Sequence, residues 1–236
     1  MVKKFSRREV LASTGALGLA SACGGLLAGE PAANPLFPLD VAAGDVGPDS
    51  ALLWTRYTGG QSLLLKVWED TALPGVIPLD VAVSPGAEGI VRADVTGLTP
   101  GKNYRYAFIE KDGEREVSES PQGRFRAALA PDALEPLRFG AVSCTEQNHS
   151  LDTLLRAGER TDLDAFFMLG DTVYADSANT FEQYNGIWQR SLSLTGHRVM
   201  RRSTSMIATW DDHEFDNNWG GDTLPKERIE AAGVLT

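Results

Sequence analysis

The 236-residue chain carries 22 basic and 32 acidic residues, a formal net charge of −10. A generic nucleic-acid binder needs a basic face, and this composition offers little from which to build one. If the substrate is an anion, something other than side-chain cations has to neutralise it, and a bound metal ion is the obvious agent.

Residues 1–30 read as a targeting segment and are set aside from the fold. Lys3, Lys4, Arg7 and Arg8 form a positive start, and Ser6-Arg7-Arg8-Glu9-Val10-Leu11 has the paired arginines and apolar followers of a twin-arginine export signal. The apolar stretch from Val10 to Ala22 is too short, and too rich in Gly, Ala and Ser, to span a membrane. Export by the twin-arginine machinery to the periplasm or cell surface is the expectation. Cys23 follows Leu19-Ala20-Ser21-Ala22, which resembles a lipobox with Ala20 where Leu is usual, so a lipid anchor at Cys23 is expected; the same residues also fit an ordinary cleavage site. With Cys23 processed, Cys144 has no disulfide partner. Counting alone then favours a buried, inert thiol over a coordinated one.

Residues 38–127 show short runs of strand character: Ala51 to Tyr57, Leu63 to Glu69, Leu79 to Val83, Ile90 to Val95, Tyr104 to Lys111 and Gly123 to Arg126. Gly47-Pro48-Asp49, Gly59-Gly60, Ser84-Pro85-Gly86, Pro100-Gly101 and Asp112-Gly113 separate them, the pattern of a small β-sandwich. Leu98-Thr99-Pro100-Gly101-Lys102-Asn103-Tyr104 resembles the fibronectin type III corner, in which a tyrosine hydroxyl ties a strand to the preceding loop. Trp54, Trp68, Tyr104, Tyr106 and Phe108 fall mostly at alternating positions, which favours core over a ligand surface.

After an Ala/Pro/Asp-rich linker from Ala128 to Pro136 the period changes. Leu137 to Val142, Ala165 to Leu169 and Met206 to Trp210 are short apolar runs of the kind fully buried strands show. Leu151 to Gly158 and Phe181 to Leu194 have helical spacing. The β-α-β-α-β order predicts parallel strands with right-handed crossovers in residues 136–236. Function then gathers where the strands end. Those ends carry Ser143-Cys144-Thr145, Gly170-Asp171-Thr172-Val173-Tyr174 and Asp211-Asp212-His213-Glu214.

Each of these has a bland reading as a cap, a core thiol or a solvated acidic turn. Their coincidence at three strand ends favours a metal site, because packed like charges need a cation. Thiolate and phenolate beside carboxylate suit a ferric ion, while Asp and Asn oxygens suit calcium or magnesium. Such a cluster would clamp a phosphate and activate water, so the expected reaction is phosphoester hydrolysis.

A fibronectin-like region followed by Ser-Cys, Gly-Asp-x-x-Tyr and Trp-Asp-Asp-His-Glu-x-Asp-Asn-Asn-Trp resembles the PhoD-type alkaline phosphatases and phosphodiesterases from about Leu39 to Gly221. Purple acid phosphatases share Gly-Asp-x-x-Tyr, but have Gly-Asn-His-Glu or Gly-Asn-His-Asp where this chain has Asp211-Asp212-His213-Glu214, and lack the Ser-Cys. The resemblance implies that Cys144 and Tyr174 bind iron, that Asp171 bridges iron to calcium, and that Asn217 or Asn218 binds calcium, with Asn217 preferred. It places Asp212 in the site as a metal or substrate contact, and His213 as a proton donor or phosphate contact. Arg198, Arg201 and Arg202 are read as exposed solubilising residues outside the site.

The fold expectation is therefore mixed: a fibronectin III-like β-sandwich followed by an incomplete α/β domain of the α/β/β/α metallophosphatase type. The family continues into a second half with a Gly-Asp-x-His motif that is not found before Thr236. The chain alone is expected to hydrolyse phosphate esters poorly and to aggregate. The competing expectations are an exported fibronectin-like binding module with an inactive second domain, and a purple acid phosphatase-like enzyme.

Overall fold

The computed structural model describes residues 32–71, 79–220 and 224–233. The expected leader and Cys23 lie outside the described residues. The first eight strands are β1 (Val41–Gly44), β2 (Ser50–Arg56), β3 (Ser62–Glu69), β4 (Leu79–Val83), β5 (Ile90–Thr96), β6 (Asn103–Asp112), β7 (Arg115–Glu119) and β8 (Gly123–Arg126). Antiparallel pairing gives a β5-β2-β1 layer and a β4-β3-β6-β7 layer, with β8 also on β6. Burial alternates along β2, β3 and β5, as a half-buried strand requires. Val41, Leu53, Val91 and Val95 thereby meet Leu65, Tyr106, Phe108 and Phe125 in one core. Each large apolar side chain buried there contributes roughly 1.5–3 kcal/mol.

The same alternation sends Trp54 and Trp68 outward, because Leu53, Thr55 and Val67 take the inward positions; both tryptophans are half-buried. The expected aromatic core thus holds for Tyr104, Tyr106 and Phe108 and not for the two indoles. β1 and β7 escape sequence reading for different reasons: β1 is only four residues long, and β7 is largely polar and exposed, without alternation.

Tyr104 turns back at the start of β6, where its hydroxyl accepts the Thr99 N–H at 2.8 Å and its ring stacks on Phe125 at 5.6 Å. Tyr104→Phe is expected to lower stability by about 1 kcal/mol, the usual worth of one such bond, in urea unfolding followed by fluorescence.

Beyond the linker come β9 (Phe139–Val142), α1 (Asp152–Gly158), β10 (Ala165–Leu169), α2 (Phe181–Ser193), α3 (Thr195–Ser203), β11 (Ser205–Thr209) and α4 (Lys226–Gly233). Strands β9, β10 and β11 are parallel with β10 in the middle, as the chain order predicts. α2 opens on a capping box in which Thr180 and Gln183 satisfy each other's backbone N–H. On one face of these strands Phe166 and Met168 pack against Leu154 of α1 and Met200 of α3. On the other, Phe139, Leu169 and Ile207 are 55%, 52% and 52% exposed.

β11 also pairs in parallel with β1 at Ala43 and Ser205, so a single six-stranded sheet runs β5-β2-β1-β11-β10-β9. Buried charge reinforces this seam. Asp40 is fully buried, with Arg198 Nη1 at 3.2 Å from one carboxylate oxygen and Arg202 Nη1 at 2.7 Å from the other. Arg201 donates to the carbonyls of Leu39 and Leu192, both at 2.7 Å. The three arginines are therefore not an exposed solubilising set: α3 turns them towards the β1 entry, where Asp40 and backbone carbonyls wait.

His197, one turn before Arg201, is 2% exposed. Burial, with the Arg201 charge beside it, pushes its pKa from the ordinary 6.5 down to about 3. Below pH 6.5 the unfolded chain therefore binds a proton that the folded chain refuses, and stability falls from 6.5 towards about 3. The loss is about 1.4 kcal/mol per pH unit in that window. His197→Gln should flatten this part of a stability profile measured by urea unfolding at successive pH values.

Candidate metal centre

Three strand ends converge at one edge of the parallel strands. The Cys144 N–H bonds the Gly170 carbonyl at 3.3 Å and the Thr145 N–H bonds the Asp171 carbonyl at 2.8 Å, which ties the loop after β9 to the loop after β10. Gly170 is obligatory: its φ is +91°, and a Cβ there would lie 2.6 Å from Asp211 Cβ and 2.9 Å from Asp211 N. The loops after β10 and β11 touch at that point.

Cys144, Asp171 and Asn218 have φ of +57°, +54° and +61°, the left-handed region that L side chains with a Cβ adopt at a cost. Strain of this kind collects at functional sites and persists only where the surroundings fix it.

Around Asp171, which is 9% exposed, the Cys144 Sγ lies 3.5 Å and the Tyr174 hydroxyl 3.4 Å from Oδ2. Ligand atoms of Asp171, Asp212 and His213 all lie within 4.8 Å of one another. Five of the six sequence-predicted site residues, Cys144, Asp171, Tyr174, Asp212 and His213, are thus brought together. Asn217 is exposed, and among the described residues its side chain makes no hydrogen bond; the neighbouring Asn218 instead gives its N–H to Asp212 Oδ2. Cys144 is exposed, not the buried inert thiol that counting favours, because it lies beyond the end of β9 and not within it.

Asp171 Oδ1 tests whether a cation fits. It is buried and has no hydrogen-bond partner. An unpaired carboxylate oxygen buried beside a thiol, a phenol and a second carboxylate is costly unless a cation completes it. The electrostatics agree. Burial first, then the Cys144 thiol and the Asp171 charge, raise the Tyr174 pKa well above that of a free phenol. Burial alone would lower the His213 pKa, but the Asp176 hydrogen bond and the Asp176, Asp171 and Asp212 charges more than offset it, and the net shift is upward. The His213 shift reports the negative charge of Asp176, Asp171 and Asp212, which a metal ion would oppose.

Sequence reasoning named the ligand types and missed the residues that hold them. His213 Nδ1 lies 2.8 Å from Asp176 Oδ1, and its ring stacks on Tyr174 at 4.1 Å. The Gln147 side chain clamps the Tyr174 backbone, donating to its carbonyl at 2.9 Å and accepting its N–H at 3.2 Å. Arg228 of α4 donates to the Ala178 carbonyl at 2.7 Å and to Asp216 Oδ1 at 2.9 Å. Glu214, 2% exposed, gathers backbone N–H groups from both acidic loops. Its position three residues after Asp211, the spacing of a carboxylate that reaches back to a backbone N–H, was the available signal.

A mixed sheet whose parallel strand ends gather thiol, carboxylates, phenol and imidazole around a buried, unpaired carboxylate oxygen defines an α/β protein with an acidic edge whose residues could hold a cation. Two family models match the chain: PhoD-like phosphatase, N-terminal domain, over residues 20–129, and PhoD-like phosphatase over residues 139–232. The chain belongs to the PhoD-like phosphatases. It is 28% identical to alkaline phosphatase D of Bacillus subtilis (strain 168), over 84% of this chain and 39% of that protein. Among solved structures, that of PhoD matches with a TM-score of 0.70 at 24% identity, covering 86% of this chain and 44% of the other. Purple acid phosphatase PPD1 from yellow lupin seeds matches with a TM-score of 0.56 at 15% identity, covering 83% and 38%. The two structures share the fold, and the chain spans less than half the length of each of these relatives.

Proposed function

We propose that this chain forms one wall of a multinuclear metal site that hydrolyses phosphate mono- or diesters, as an alkaline phosphatase D does. The observation that carries the reading is the buried, unpaired Asp171 Oδ1 amid Cys144, Tyr174, Asp212 and His213. Cys144, Tyr174 and Asp171 would hold a ferric ion, and Asp171, Asp212 and an asparagine of the 217–218 pair would hold calcium. When bound, the metals supply charge neutralisation of the phosphate and a water acidic enough to attack it. The chain's own residues do the rest. Asp176 occupies Nδ1 of His213, which leaves Nε2 to carry a proton to the leaving oxygen. Stacking on Tyr174 fixes the plane of the imidazole.

The tyrosine corner at Tyr104 supports a fibronectin-like reading of residues 38–127, with residues 136–236 as the catalytic part. The paired arginines support export, and Cys23 a lipid anchor, as read above.

Metal analysis tests the proposal. The full chain, purified anaerobically and loaded with iron and calcium, should retain both ions after desalting. It should also show a thiolate or phenolate charge-transfer colour, and release p-nitrophenol from p-nitrophenyl phosphate slowly at most, since it spans 39% of its phosphatase relative. A metal-free, colourless chain would sink the reading and favour a binding module.

A further inference from the structure

We infer that Glu214 is a positioning residue that sets the distance between Asp171 and Asp212; the inference rests on the metal-site reading above. Its carboxylate is 2% exposed and lies between the loops after β10 and β11. One oxygen, Oε1, accepts the N–H groups of Thr172 and Val173, the latter at 3.2 Å. The other, Oε2, accepts those of Asp171 at 3.2 Å and Asp211 at 2.9 Å. Four backbone donors from two loops thus meet on one side chain.

The chemistry of the side chain explains why it is glutamate. An ionised carboxylate is an acceptor at both oxygens and offers about four lone-pair sites, so it can take all four donors. The amide of glutamine would set its NH2 against two N–H groups. Aspartate is a methylene shorter and would withdraw from one loop. Because all four of its acceptor sites are taken, Glu214 is not itself a ligand: it acts through Asp171 and Asp212.

What it supports is strained. Asp171 sits at φ +54°, and a backbone in that region needs fixed neighbours. The Asp171 N–H is one of the groups Glu214 holds, and Asp211, whose N–H it also holds, immediately precedes Asp212. Beside that tie, the contact at Gly170, the Ala175 N–H bond to the His213 carbonyl at 2.8 Å, the His213–Asp176 pair and the Tyr174–His213 stack join the two loops, but none of these holds the backbone N–H groups of Asp171 and Asp211 on one group.

The test uses cobalt(II) alone as a probe, titrated into the full chain while the thiolate-to-cobalt absorption is followed. Glu214→Gln should weaken cobalt binding by roughly 10- to 100-fold, the usual effect of losing a group that orients metal ligands, and should alter the band. Leu154→Ala, in the core away from the site, serves as a control: its thermal midpoint should fall while its band and affinity stay those of the parent. Unchanged affinity and band in Glu214→Gln would overturn the inference. A second measurement needs no variant. In the parent chain the amides of Asp171, Thr172, Val173 and Asp211 should be protected in hydrogen exchange, and exchange at open-loop rates would overturn the brace even if Glu214→Gln fails to fold. A parent chain that binds no cobalt but protects these amides would sink the metal reading and leave the brace standing.

Discussion

Asp171→Asn is expected to abolish metal retention while leaving the fold intact. Asparagine keeps the size of the side chain and one oxygen, so neighbouring packing is undisturbed. It removes the charge that a cation would neutralise, and it replaces one of two carboxylate oxygens, Oδ1 buried without a partner and Oδ2 shared with Cys144 and Tyr174, by an NH2 that repels a metal ion. A loss of affinity of at least about 100-fold is expected, beyond the 10- to 100-fold typical of residues that merely orient ligands. Elemental analysis after desalting, with circular dichroism on the same sample, checks both halves. Retention of metal at parental stoichiometry would place the cation elsewhere.

Asp40→Ala is expected to be the most destabilising single change at the seam between the β1 layer and the parallel strands. The Asp40 carboxylate is fully buried and paired with Arg198, itself 3% exposed, and with Arg202. Removing one partner of a buried ion pair leaves a charge in a medium that cannot solvate it, which costs about 3–5 kcal/mol. Urea unfolding followed by circular dichroism measures the cost. Arg198→Met in the Asp40→Ala background should recover part of it, because the buried cation that faced Asp40 is then gone. A double-mutant cycle with no coupling between the two positions would show that the pair contributes through packing alone.

Much of the fold was legible because it is written in local periods. β4, β8 and β10 fall at the residues the sequence predicts, and β9, β11, α1 and α2 within one or two residues of them. The tyrosine corner at Tyr104 was legible for a similar reason: Thr99 and Tyr104 lie five residues apart, and both fall within a recognisable motif. Elements that lack a period were missed, as the four residues of β1 and the polar β7 show. α3 was missed too, for a different reason: Val199 and Met200 are its only buried apolar side chains, and the Arg198, Arg201 and Arg202 around them leave no apolar stripe to read. By sequence alone the three arginines read as a solvated surface, because the Asp40 carboxylate that pairs with Arg198 and Arg202 lies 158 and 162 residues away.

The candidate site divides in the same way. By itself the sequence determined which chemistry reaches the edge, since Cys144, Asp171, Tyr174, Asp212 and His213 each follow an apolar run whose end could be counted. Only the tertiary structure decided that Cys144 and Tyr174 meet on Oδ2 of a buried Asp171 whose Oδ1 has no hydrogen-bond partner, and that Cys144 and Asn217 are exposed. It also decided that Glu214, Asp176, Gln147 and Arg228 hold the site residues in place. The physical reason is that strand ends are set by hydrogen-bond ladders whose period is local. The approach of two loops at Gly170, and three of the four N–H groups gathered on Glu214, depend on backbone angles and on partners more than forty positions apart, which no window of sequence contains.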